Sequence, residues 1–292
     1  MSDHILKVDV AKWVNRAGSD PVAYQQRQTV EVTLNAIAMA APLNVEMFLK
    51  GGILMGLAYE SPRHTIDIDL TTALAPGPGV AEQVRKLLDS TLPQAATELG
   101  YDSLIIKVHS VKSQPTANIA DAKFPALKLK IASAKRGTTQ EKALQKGLPP
   151  VVVDADISFN EPLMQIQVLN LTGGRDLRAY GLCDLIAEKY RALLQQVPRK
   201  RNRPQDVYDL DRLIAAHEVD NVLQAQILEA LIAKCQARRI KPARASLDNT
   251  EIKERAGAAW DSMKLEIGEV PEFEGCFTRV SEFYRNLPWR IP

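Results

Sequence analysis

Hydrophobic residues recur at helical spacing early in the chain and later alternate with polar residues. The helical period covers 21–41, and Pro42 ends that segment. A second helix is predicted to follow Gly51 and Gly52, and a third is predicted over 83–99.

The period changes at 64–72, where the sequence HTIDIDLTT places an apolar residue at every second position. This alternation predicts a strand with one buried face and one polar face. Four later segments are rich in Val, Ile and Leu and are bounded by turn residues, which also predicts strands. They are 103–111, 126–131, 151–159 and 163–169.

From Ala179 onward the helical period returns, and it predicts about five further helices. Strands in one half and helices in the other indicate an α+β fold, in which a mixed sheet with flanking helices is followed by a helical domain. We place the boundary near residue 175, which gives domains at 1–175 and 176–292.

The composition is that of a globular protein. The 292 residues are 46% hydrophobic and 25% charged, and a net charge of +2 does not by itself point to nucleic acid or membrane. No apolar run approaches the ~20 residues that a membrane helix needs, so we expect a cytoplasmic protein with no membrane partner. Cys183, Cys235 and Cys276 are too far apart for a zinc site and odd in number, and are expected to be reduced core thiols.

Two carboxylates stand out on the alternating segment. Asp67 and Asp69 are two residues apart, so on a strand both project from the same face and repel each other. A divalent cation would relieve that repulsion, and oxygen ligands without His or Cys favour Mg²⁺ or Mn²⁺. The alternative is an amphipathic strand whose polar face carries two solvated acids.

Glycines precede this acidic segment. Lys50, Gly51 and Gly52 end an apolar run and lead into a predicted helix. Glycines at a helix start let a phosphate approach backbone N–H groups, and the helix dipole favours the anion. A P-loop is excluded, because Leu57 occupies the position that requires lysine.

A second acidic pair lies on the predicted strand 151–159. Asp154 and Asp156 again share one face, and either could complete a three-carboxylate site if the two strands are neighbours. Two solvated acids on a strand face are the alternative.

Four segments together resemble a known family. They are KGG at 50–52 before a helix, R-x(3)-DIDL at 63–70, DLIAEKYRALL at 184–194 and RPQDVYDL at 203–210. In this order they resemble the polymerase-beta-like nucleotidyltransferases, and more closely the AbiEii/AbiGii toxin family. The resemblance implies the polymerase-beta-like mixed sheet with flanking helices and a C-terminal helical domain.

The resemblance also implies roles for individual residues. Nucleotide phosphate contacts would come from Lys50, Gly51, Gly52 and Arg63. Metal ligands would be Asp67, Asp69 and Asp156, with Asp67 and Asp69 also catalytic.

In the helical half, the resemblance implies that Lys189 meets the triphosphate or acts near the transferred phosphoryl group. Asp206 and the catalytic Asp209 would orient the lysine helix or approach the base and ribose. Helical spacing alone places Lys189 off the core face and predicts a solvated lysine. It predicts that Asp206 and Asp209 interact favourably with the dipole at the start of their helix.

Members of this family are nucleotidyltransferase toxins of toxin–antitoxin or phage-defence systems. The resemblance therefore implies an NTP substrate, Mg²⁺ or Mn²⁺, an acceptor hydroxyl at the 3′ end of tRNA, and a cognate antitoxin. Ile53 departs from the Thr or Ser that usually follows the glycines. Two alternatives stay open: a catalytically degenerate binding protein of this fold, and a transferase that modifies a protein side chain.

Two basic features are candidates for substrate contact. The run 199–203, RKRNR, could bind RNA phosphates or form a solvated loop. Lys128 and Lys130 alternate with apolar residues, which places both on one strand face.

Overall fold

A computed structural model of the protein describes residues 5–289. They divide into two compact units. The first contains the chain up to Glu60, together with Thr65–Asn160 and Gln167–Ala179. The second contains Ser61–His64, Glu161–Ile166 and the chain from Tyr180 onward.

The first unit is built on one eight-stranded sheet. Its strands are β1 (Ile5–Lys7), β2 (Met47–Lys50), β3 (Ile68–Thr72), β4 (Leu104–Gln114), β5 (Ala126–Lys135), β6 (Val151–Phe159), β7 (Ile166–Asn170) and β8 (Asp176–Tyr180). The order across the sheet is β1-β7-β8-β2-β3-β6-β5-β4. β3 pairs in parallel with β6 and antiparallel with β2, so the sheet is mixed, as predicted.

Helices flank this sheet. They are α1 (Val10–Asn15), α2 (Pro21–Met39), α3 (Leu43–Glu46), α4 (Gly51–Ala58), α5 (Val80–Glu98) and α6 (Thr139–Gln145). The predictions for α2, α4 and α5 are confirmed within three residues where bounds were predicted. α2 begins where it was expected because Asp20 caps it, accepting hydrogen bonds from the backbone N–H groups of Val22 and Ala23, and Pro21 occupies its first turn.

The predicted strand 64–72 forms only from Ile68. β2 ends at Lys50, opposite Asp69, because the chain turns there into α4. Residues before Ile68 therefore have no antiparallel partner on that side. Asp67 precedes the strand and is more exposed than Asp69, which lies within it, but it is not fully solvated.

Other strand bounds also differ from the sequence prediction. β4 and β5 extend beyond 111 and 131, and β7 covers only the end of 163–169. β1, β2 and β8 were not predicted as strands. β4 and β5 run longer because they pair with each other along almost their whole length.

The second unit is helical. It contains α7 (Leu182–Gln195), α8 (Pro204–Ala216), α9 (Asn221–Ala237), α10 (Thr250–Gly257), α11 (Lys264–Ile267) and α12 (Phe273–Asn286). α7 packs against α8 and α9, and Tyr190 of α7 packs against the ring of Tyr284 of α12. About five helices were predicted in this region, and the additional one is the single-turn α11.

The three cysteines are buried and free, as predicted for core thiols. Burial raises the pKa of each thiol to about 12. Within residues 5–289, no helix is long and apolar enough to cross a membrane.

Candidate active site

A glycine bend joins β2 to α4. Gly51 has φ +69°, a conformation that L side chains rarely adopt. A Cβ atom there would lie 2.8 Å from Cβ of Asp69 and closer still to its carboxylate. At Gly52, a Cβ would lie 2.8 Å from Cγ2 of Thr65. The two glycines therefore let the backbone approach Asp69 and Thr65 more closely than any other residue would allow.

Thr65 places a hydroxyl at this bend. Its Oγ1 would lie 3.1 Å from a Cβ atom at Gly52. Ile53, where a hydroxyl was expected, is fully buried in the first turn of α4. A side chain at position 53 points into the core, so the nearby hydroxyl comes from a different part of the chain.

The acidic residues meet through strand pairing. Asp69 of β3 lies opposite Lys50 of β2 on one side and opposite Asp156 of β6 on the other. Lys50 is buried, while Asp69 and Asp156 are partly exposed. Directly opposed residues share a face of a sheet, so these three side chains belong to the same face. The structure thus brings together the sequence-predicted Lys50, Asp69 and Asp156.

The charge of Asp154 influences the titration of Asp67. Partial burial raises the pKa of Asp67, and the charges of Asp154 and Asp156 raise it further. The positive charges of Lys128 and Lys130 partly offset this increase in the pKa of Asp67. A carboxylate whose negative charge is disfavoured by burial and by two other carboxylates is a position that favours a cation.

Two lysines already neutralise part of this acidic cluster. Lys128 of β5 forms an ion pair with Asp156, and Lys130 forms one with Asp154 at 2.8 Å. In the part of the chain that the structure describes, no group of three or more His, Cys, Asp or Glu side chains is arranged to hold a metal ion. The facing pair of Asp69 and Asp156 nevertheless fits Mg²⁺, which is usually bound by one or two carboxylates together with water and substrate phosphates.

The predicted lysine of the second unit is buried rather than solvated, contrary to the interpretation from helical spacing. The Lys189 Nζ of α7 lies 2.5 Å from Asp209 Oδ2 and 3.4 Å from Asp206 Oδ1. Both aspartates come from α8, one turn apart, and Asp206 is in its first turn. Burial of Lys189 is possible because α8 supplies two carboxylates to the ammonium.

Arg63 joins this cluster, within the second unit. Its Nη1 lies 2.7 Å from Asp209 Oδ2, and its Nε lies 3.6 Å from a carboxylate oxygen of Glu266. Burial alone would lower the pKa of Arg63, but Asp209, Asp206 and Glu266 outweigh that effect and raise the pKa. One buried oxygen of Asp209 is therefore shared by two cations, Arg63 and Lys189.

A second buried ion pair, which the sequence analysis did not identify, lies nearby on α7. Asp184 accepts hydrogen bonds from the backbone N–H groups of Met164 and Gln165, at 2.9 and 2.5 Å. Lys234 of α9 lies 2.7 Å from Asp184 Oδ1 and donates to the carbonyl oxygen of Pro162 at 2.8 Å. The sequence signal that could have identified this ion pair is Lys234, a charged residue on the otherwise apolar face of α9.

Comparison with known proteins gives a consistent result. Residues 33–279 match a protein family described as nucleotidyl transferase AbiEii toxin of the type IV toxin–antitoxin system. No curated protein sequence matches the chain.

Among solved structures, the chain is similar to MenT4, a nucleotidyltransferase toxin from Mycobacterium tuberculosis H37Rv. The TM-score is 0.57 at 16% sequence identity, over 94% of this chain and 89% of that one. At this identity the likeness shows the fold, and it confirms the predicted mixed sheet with flanking helices.

Proposed function

The chain belongs to the AbiEii family of nucleotidyltransferase toxins, and from this premise we propose that it transfers a nucleoside monophosphate from an NTP to the 3′ end of tRNA. The observation that carries the proposal is the pairing of Asp69 with Asp156 beside the positive-φ bend at Gly51. Metal-binding carboxylates next to a close-approach backbone are what phosphoryl transfer requires.

Asp69 and Asp156 would hold the divalent metal, Mg²⁺ or Mn²⁺, together with water and substrate phosphates, and Asp67 would add negative charge beside them. When bound, the metal would neutralise charge on the attacking and leaving oxygens of the transferred phosphoryl group. The raised pKa of Asp67 supports this assignment, because a cation would offset the burial and carboxylate repulsion that raise it.

The backbone around Gly51 and Gly52 would bind the triphosphate. The first N–H groups of α4 have no partner within the helix, and the helix dipole favours an anion there. Lys50 adds a positive charge at the end of β2. Thr65 offers a hydroxyl beside Gly52, which supports phosphate binding at this bend although position 53 is Ile rather than Thr or Ser.

Lys189 and Arg63 would supply positive charge to the substrate phosphates. Asp209 holds both side chains through one oxygen, and Asp206 adds a second carboxylate for Lys189. We assign Asp209 the task of fixing both cations and Asp206 that of fixing Lys189, because within residues 5–289 neither aspartate has a closer charged partner. This arrangement keeps the two long side chains ordered before the substrate arrives.

In the reaction, a hydroxyl of the acceptor attacks the α-phosphorus of the NTP, a new phosphorus–oxygen bond forms, and the bond to the β-phosphate breaks with release of pyrophosphate. A type IV toxin implies a cognate antitoxin, and we propose that the pair acts in phage defence.

The experiment is incubation of the full chain with each labelled NTP in turn, Mg²⁺ and total tRNA, followed by separation of RNA from protein. Label on RNA for at least one NTP supports the proposal. Label on protein instead would establish a side-chain transferase. Folded protein that labels neither would contradict catalysis and favour a binding role.

A further inference from the structure

Four lysines share the outer part of the sheet face that carries the acidic residues. Lys107 and Lys112 lie on β4, and Lys128 and Lys130 lie on β5. All four are exposed. We refer to these four residues as the lysine face.

Strand register aligns this face with the candidate metal site. Lys112 lies opposite Lys128, Lys128 opposite Asp156, and Asp156 opposite Asp69. Neighbouring strands are about 4.8 Å apart, so the backbone at Lys112 is roughly 14 Å from that of Asp69 along a straight row. β4 is the last strand of the sheet, so the row leads from the edge of the sheet to the acidic pair.

A β-bulge adds the fourth lysine. Lys107 and Lys112 are an odd number of residues apart, which in a regular strand would place them on opposite faces. The register shifts between Val108 and Ser110, so Lys107 lies opposite Ala132 and on the same face as Lys128.

The lysine face carries more positive than negative charge. Lys128 and Lys130 are paired with Asp156 and Asp154, but these pairs are half-exposed and therefore weak and exchangeable. Among the residues described, Lys107 and Lys112 form no ion pair. A cation bound by Asp156 would in addition release Lys128 for another anion.

We propose that the lysine face binds the phosphate backbone of the acceptor RNA and leads its 3′ end to Asp69 and Asp156. Lysines held at strand spacing match a polyanion whose charges are regularly spaced, and such contacts give affinity without sequence preference. The inference rests on the proposed function for the identity of the acceptor, and it extends that function by assigning the path of the RNA across the protein.

A competing explanation is protection of the sheet edge. Charged side chains, lysine above all, keep exposed edge strands from pairing with other chains. That explanation requires lysines on β4 but does not require a bulge that aligns them with β5 and β6. It also predicts self-association, rather than loss of RNA binding, when the lysines are removed.

The test compares the double variant Lys107→Gln/Lys112→Gln with a matched control, Lys12→Gln/Lys86→Gln, which removes two exposed helix lysines of the same unit. Binding of fluorescein-labelled tRNA to the full chain is measured by anisotropy with Mg²⁺ at several salt concentrations. The first variant should bind about tenfold more weakly, and its salt dependence should be shallower by about one to two ion equivalents. The control should match the wild type, and thermal melting checks the fold of both.

Equal tRNA affinity and salt dependence in the two double variants would overturn the proposal. A loss of NTP binding with unchanged tRNA binding would overturn it too and assign the lysines to the triphosphate. If the wild type labels no RNA yet needs these lysines to bind it, the proposed reaction fails and the lysine face stands. If the wild type labels RNA and the lysine variant binds tRNA as well as the control does, the proposed reaction stands and the lysine face is refuted.

Discussion

Asp69 lies directly opposite Asp156, although the chain forms α5, β4, β5 and α6 between them. Their strands are parallel neighbours in the sheet, so the two carboxylates share a face. This contact between distant segments distinguishes Asp156 from Asp154, which lies opposite no residue of β3.

Removing either member of this pair should abolish most nucleotide transfer. If Asp69 and Asp156 are the metal ligands that we propose, Asp69→Asn and Asp156→Asn each remove several kcal/mol of transition-state stabilisation, so transfer should fall by about 100-fold or more. Asp154→Asn, on the same face of the same strand, should stay within a few-fold of wild type. Initial rates of label transfer and Mn²⁺ binding are the measurements. Equal losses at positions 154 and 156 would refute the assignment.

Gly51→Ala should destabilise the protein more than Gly100→Ala. Both glycines have positive φ, at +69° and +76°, which costs an alanine about 1–2 kcal/mol. Only at Gly51 would the new Cβ also meet Asp69, whereas at Gly100 nothing lies within 4 Å. Urea unfolding measures the difference, and label transfer should fall only in the first variant. If both variants lose the same stability, the close approach at Asp69 is unimportant.

Asp209→Asn should be far more destabilising than Asp206→Asn. Asp209 is fully buried and pairs with both Arg63 and Lys189, so its removal leaves two cations without their shared anion and costs about 3–5 kcal/mol. Asp206 is more exposed and lies 3.4 Å from Lys189, so its loss should cost about 1 kcal/mol. Equilibrium unfolding of the two variants decides, and similar losses would count against the shared-anion arrangement.

The free energy of unfolding of Glu31→Gln should increase relative to that of the wild type as pH rises. Burial raises the pKa of Glu31, against the hydrogen bond that Tyr101 donates to it at 2.6 Å. The folded state thus binds the proton more tightly than the unfolded state, so the wild type loses stability as pH rises from the ordinary carboxyl pKa through the raised one. Glutamine does not titrate.

The measurement is the free energy of unfolding of both proteins at several pH values between 4 and 8. A difference that does not change with pH, or that turns against the variant at higher pH, would show that the pKa of Glu31 is not raised. Tyr101→Phe in the wild-type background is the control for the hydrogen bond itself.

Local features of the fold were predictable from the sequence, whereas contacts between distant segments were not. α2 follows from Asp20, Pro21 and a helical apolar period, all of which lie within the segment itself. The order of strands in the sheet has no local signal, so the residue pattern alone left Asp154 and Asp156 equivalent, and only the family resemblance pointed to Asp156. The strand at 64–72 was predicted too long because its length depends on where β2 ends.

The lysines show the same limit. Helical spacing placed Lys189 on a solvated face, because its counter-charges come from α8 and could not be read from α7. Lys107 and Lys112 appear on opposite faces when residues are counted along the strand, and only the bulge aligns them. Lys128 and Lys130 were placed on one face correctly, since β5 is regular there.

The helical unit is assembled from three separate pieces of chain. One short piece contributes Arg63 to the buried Asp209, and the other contributes the backbone N–H groups of Met164 and Gln165 to the buried Asp184. A fragment beginning at Tyr180 would keep these acids and lose those partners. Gene fusions or truncations that keep only the helices from Tyr180 onward should therefore give insoluble or unfolded products. A single cut in the chain cannot separate the two units, because the chain enters the helical unit three times.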